Sequence, residues 1–170
     1  MKPSRVRRHT ARVAAILLLA ALCGASDTEY SRKSLKGLPG VYGVVEELAD
    51  PVTQDGLNKQ DIQTDVELKL RLAGVKVLTE KEHLAIPGMP DLYVRVTPLF
   101  RDNLYAFWIE VDLEQNILLQ RDQTIVVGAT TWSEARIGMI GKNRLSEIRN
   151  DIKDLIDKFL NAYFSVNPKK

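Results

Sequence analysis

The chain has 170 residues, with 24 Lys and Arg against 22 Asp and Glu, two histidines and one cysteine. A single cysteine rules out an internal disulfide, so stability must come from burial. So few Cys and His residues cannot furnish a Cys/His zinc site.

In chain order, the first 25 residues read as an export leader. Lys2, Arg5, Arg7, Arg8 and Arg12 make a basic start with no acid, and an apolar run follows from Val13 to Leu22. That run is shorter than the roughly 20 residues a bilayer span needs and suits a signal-peptide core. Cys23-Gly24-Ala25 sets small residues at the positions required for a cut after Ala25. Arg7-Arg8 lacks the bulky apolar residue at short spacing that a twin-arginine signal carries. Lipidation of Cys23 is the alternative, but Leu22 stands where the lipoprotein peptidase needs a small residue.

Removing residues 1–25 leaves 19 basic against 22 acidic side chains, a formal −3. The basic isoelectric point near 8.6 therefore belongs to the leader and is no argument for nucleic-acid binding. The remaining length suits one domain, residues 41–168. It retains one histidine, His83, and no thiol. A Cys–His dyad is excluded, and any Ser–His–acid triad would have to use His83.

Residues 26–40 (SDTEYSRKSLKGLPG) read as a flexible tether. Residues 41–48 are apolar and β-branched, as in a strand. Residues 57–73 carry Ile62, Val66, Leu70 and Ala73 on one helical stripe, and Gly74 fits a left-handed C-cap. Residues 75–78 read as a short second strand and residues 80–90 as a connection. Leu92, Val94 and Val96 then alternate with Tyr93, Arg95 and Thr97.

The clearest strand follows the Asp102-Asn103 turn. Tyr105, Phe107, Ile109, Val111 and Leu113 form one face, and Trp108, Glu110, Asp112 and Glu114 form the other. A bulge at Gln115-Asn116 would carry it on to Leu119. Residues 124–133 read as the last strand and the stretch to Lys142 as a glycine-punctuated loop. A helix over 144–164 is N-capped by Asn143. The expected fold is α+β: a two-layer sandwich with a mostly antiparallel sheet of about five strands and two helices on one face, in the order β-α-β-β-β-β-α.

The phrases DGLNKQDIQTDVELKLRLAGVKVL, PDLYVRV, WSEARIG and DLIDKFLNAYFSVNP resemble an exported bacterial family of unassigned function over roughly residues 41–168. In topology alone the chain is similar to small periplasmic modules such as the N-terminal domain of TolB and the lipoprotein activators of peptidoglycan synthases. That likeness implies an envelope setting and transfers no catalytic residue.

Candidate sites are few. Glu110, Asp112 and Glu114 recur at about 6.6–7 Å along one strand face. A flat strand does not converge oxygens on a cation, and a solvated face paired with Arg95 is the simpler reading. Tyr93 and Trp108 share the open face and could grip a sugar or a partner, with Trp132 and Arg136 added from the last strand and its loop. GMIGK, 138–142, lacks the glycine and the Ser/Thr of a phosphate loop. Ser133 has no Gly-x-Ser-x-Gly context, and His83 sits in a charged stretch. The expectation is an exported, non-catalytic envelope protein that binds another envelope protein or component, needs no cofactor and touches membrane only through a lipidated Cys23. Binding of a small ligand or glycan is the alternative, and a hydrolase using carboxylates alone comes third.

Overall fold

The computed structural model describes residues 27–168. The expected leader, with Cys23 and Ala25, lies outside the described residues. The protein is an α+β domain built on one mixed sheet. β1 (Tyr42–Val45), β2 (Asp91–Arg101), β3 (Leu104–Leu119) and β4 (Asp122–Gly141) lie in the order β1-β2-β3-β4. β1 runs parallel to β2, and β2, β3 and β4 form an antiparallel meander. The β2–β3 turn has Asp102 at φ 50° and Asn103 at φ 65°. A two-residue hairpin loop needs this left-handed pair, and Asp and Asn tolerate it best.

The sheet has four strands rather than about five. Residues 75–78 make only a bridge, Val41 to Val77, held by Val41 N–H to the Lys76 carbonyl (3.0 Å) and Leu78 N–H to the Val41 carbonyl (2.9 Å). Gly40 permits this close approach, since a Cβ there would lie 2.5 Å from the Lys76 carbonyl oxygen.

Among the described residues five α-helices accompany the sheet: α1 (Glu29–Arg32), α2 (Asp50–Gln54), α3 (Lys59–Ala73), α4 (Glu80–Ala85) and α5 (Ile148–Val166). α3 starts where the Asn58 side chain accepts from Gln60 N–H at 2.7 Å and stops at Gly74, φ 86°. Both ends follow the expected capping chemistry. Residues 80–90 are not a bare connection. Thr79 and Glu82 form a reciprocal capping box that starts α4, the Thr-x-x-Glu signature of a helix N-terminus.

Residues 27–40 do not run as a tether. α1 and a 3₁₀ turn at Lys33–Leu35 pack against β4 and α5, and Leu35 is fully buried. The stretch beyond residue 133 is not a loop either. β4 continues to Gly141, a 3₁₀ turn spans Lys142–Glu147, and α5 begins at Ile148 without a side-chain cap. Asn143 therefore lies inside the 3₁₀ turn rather than capping a helix.

The core lies between the helices and one sheet face. Ile62, Val66 and Leu70 of α3 join Ile152, Leu155 and Phe159 of α5 over Val94, Phe107, Ile109, Val111 and Leu113. Arg149–Asp65 (2.7 Å) and Lys69–Asp157 (2.6 Å) tie the two helices together. Opposite Phe107, a Cβ on Gly138 would lie 2.4 Å from the ring, so glycine lets the ring lie flat across β4. The bulge expected at Gln115-Asn116 of β3 lies instead on the partner strand, opposite Leu113 and Glu114. Leu113 faces Trp132 while Glu114 faces Thr130, so Thr131 is the extra residue and it sits on β4.

Candidate functional site

The pairing register builds the sheet face that the helices leave open. Across β2, β3 and β4 its rows read Tyr93–Asp112–Ser133, then Arg95–Glu110–Ala135, then Thr97–Trp108–Ile137, then Leu99–Ala106–Met139. Alternation puts the side chains of each row on one face. The face thus changes from acidic and polar at one end, through an ion-paired middle, to apolar at the other.

The middle is neutralised. The Arg95 guanidinium donates to Glu110 at 3.0 Å and to Glu46 at 3.1 Å and lies over the Tyr93 ring, 5.2 Å from its centre. The apolar end is bare. Leu99 is 71% exposed, Ile137 63% and Met139 72%. Leu99, Leu104, Ala106 and Met139 line a shallow hollow of about 240 Å³ there.

The three alternating carboxylates do not act alike. Glu110 is held by Arg95, whereas Asp112 is buried, with Oδ1 lacking a hydrogen-bond partner. Burial pushes the Asp112 carboxyl above the usual range, and the charges of Glu110 and Glu114 add to this. A hydrogen bond from Ser133 and the charge of Arg95 oppose it. Among the described residues no group of three or more Asp, Glu, His and Cys gathers as a metal ion would need.

A pH test follows from Asp112. Its folded pKa lies above the unfolded value of about 3.9, so folding takes up a proton. Stability is full at low pH and falls as pH rises through that window, leaving the ionised form strained at neutral pH. Asp112→Asn should raise stability by about 1 kcal/mol at pH 7 and flatten its acid dependence. Urea unfolding at stepped pH reads both. A loss of stability at pH 7 would count against the assignment.

Of the aromatics and cation expected at a binding surface, Tyr93 and Trp108 do share the open face, each partly exposed. Trp132 and Arg136 do not join them. They face inward, opposite Leu113 and Ile109. Trp132 is fully buried against Phe159 with its indole N–H on Asp27 at 3.0 Å. Arg136 is clamped by Asp151 and Asp154 of α5. A twenty-residue β4 carries the alternation past Ser133, and that parity turns Trp132, Glu134 and Arg136 toward the helices.

Two clusters away from this face were not evident in sequence. His83 is buried under the Tyr42 ring (5.0 Å between centres), with Nε2 3.0 Å from Asp91 Oδ1. Among the described residues neither atom has a hydrogen-bond partner. The Tyr42 stack closes the imidazole to a substrate. The Thr79/Glu82 capping box was the available signal, because a helix there turns His83 toward β2. At the other end of the sheet, Tyr105 donates to Asp55 at 2.6 Å and Lys142 pairs with the same carboxylate at 2.8 Å. The hydrogen bond to Asp55, with burial, pushes the Tyr105 phenol up to about 12, and the Lys142 and Tyr105 bonds hold Asp55 low. Of the groups that line the adjoining depression of about 670 Å³, Asp55 and Lys142 already satisfy one another.

No protein-family model matches the chain, and no curated protein matches it.

Proposed function

We propose that the protein is an exported, non-catalytic binding module of the cell envelope, a two-layer α+β sandwich that docks a protein partner on its open sheet face. The observation that carries this reading is the apolar end of that face. Leu99, Ile137 and Met139 project from the sheet with no helix of the described residues over them. Apolar groups clustered on an otherwise ionised surface are a recognised mark of a protein contact. The basic, apolar leader supports export. The closed His83–Asp91 and Asp55–Tyr105–Lys142 clusters are consistent with a role other than catalysis.

The test uses Ile137→Asp with Met139→Asp in the native host. Both side chains are exposed, so the domain should unfold within about 0.5 kcal/mol of wild type. Cross-linking should retrieve an envelope protein with wild type and lose it with the double variant. Retrieval that is unchanged by the variant would sink the reading.

Tyr93 and Trp108 on the same face support a second reading, a glycan seated on the aromatic row. Fluorescence titration with glycan fragments would then respond through Trp108, since Trp132 is enclosed. A response abolished by Trp108→Ala would favour the glycan over the protein.

A further inference from the structure

β4 is an edge strand, and its first half lacks the usual protection. Between Gln123 and Ser133 there is no charged residue and no proline. Ile125 is 40% exposed and Val126 59%. Natural edges are normally blunted by charges, proline or a covering segment. Here the second half is guarded by the inward charges of Glu134 and Arg136, bound to α5, and Ser34 Oγ donates to the Thr131 carbonyl. Bulges bound this stretch, with Thr131 unpaired at one end and residues 123–125 at the other, but among the described residues no charge, proline or covering segment guards residues 126–130 themselves.

This stretch also stands outside the main sheet. β2 pairing ends where Asp91 meets Glu114, so residues 115–119 and 122–129 continue as a two-stranded ribbon. On the β3 side the turn before β2 closes in, with Asn116 N–H donating to the Gly88 carbonyl at 2.7 Å. Among the described residues nothing closes the β4 side. A ribbon of two strands is marginal in water and gains from a third.

We infer that residues 125–130 of β4 pair antiparallel with the same residues of a second copy, joining two sheets into one across a two-fold axis. A two-fold sets the same segment against itself, which penalises any charge it carries. A charge-free, β-branched segment meets that condition. This inference is independent of what docks on the open face.

Sedimentation velocity on the mature protein, from low micromolar to several hundred micromolar, tests it. A concentration-dependent dimer is expected, with amide exchange at residues 125–130 slowing as the dimer forms. Val126→Lys should weaken dimerisation at least about tenfold and leave the circular dichroism unchanged, because the side chain is exposed. A monomer at every concentration would overturn the inference. So would a dimer that survives Val126→Lys but dissociates with Ile137→Asp and Met139→Asp. The first result leaves the envelope partner of the open face untouched, whereas the second would place a second copy of the chain on that face in the partner's stead.

Discussion

Replacing Trp132 by alanine is expected to cost about 3–5 kcal/mol of folding stability, the range for truncating a large buried aromatic. The indole is fully buried and meets Phe159 edge-on, with ring centres 5.4 Å apart. Its N–H donates to Asp27, which the Arg32 guanidinium grips with bonds of 2.7 and 2.6 Å. The residue thus locks α1, β4 and α5 together. Urea unfolding with tryptophan-independent detection would measure the loss. Trp132→Phe should cost less, since it keeps most of the packing and removes only the hydrogen bond. If Trp132→Ala were neutral to stability yet abolished ligand binding, the residue would be a surface contact after all.

The same junction has a pH signature. The Arg32 hydrogen bond, aided by those of Trp132 and nearby charge, holds Asp27 below the usual carboxylate range. A depressed folded pKa stabilises above the unfolded value and is lost as pH falls through the folded one. Acid should therefore loosen α1 from β4, opposite in sign to the effect at Asp112.

Leu35→Ala is expected to cost about 2–5 kcal/mol, although it lies in a stretch whose composition reads as a tether. Leu35 has no exposed surface, and the segment around it is bonded at long range. Asn167 donates to the Leu35 carbonyl at 2.8 Å and accepts from Gly37 N–H at 2.7 Å. Tyr163 donates to the Leu38 carbonyl at 3.0 Å. The end of α5 and residues 34–38 therefore fold as one unit. Thermal unfolding would show a lowered midpoint if this holds. A variant as stable as wild type would return the segment to the status of a linker.

Local pattern carried much of the fold. The stripe of Ile62, Val66 and Leu70 with Gly74 behind it defined α3 because helix period and cap chemistry act over a few residues. The alternation from Tyr105 to Leu113 marked β3 and its buried face for the same reason. Residues 27–40 failed that test. Ser, Lys and Gly in short order give no period, and Leu35 is fixed by β4 and α5, both far away in the chain. Likewise, glycines at 138 and 141 look like loop punctuation until Phe107 is seen to need the space above Gly138.

The open face shows the same division. That Tyr93, Trp108, Glu110 and Asp112 lie on the side away from the core follows from strand parity alone. Only the tertiary structure decided that Asp112 is buried among them, that Arg95 neutralises Glu110, and that Trp132 and Arg136 face the helices. Those outcomes depend on register and on the length of β4, and register is set by pairing between distant segments. The sequence by itself determined the basic, then apolar, first residues, the scarcity of thiol and histidine, and the periods of α3, α5 and β3. Which charges meet, which edge stays open and which tryptophan is reachable were settled by packing, because each depends on a neighbour that the local pattern does not contain.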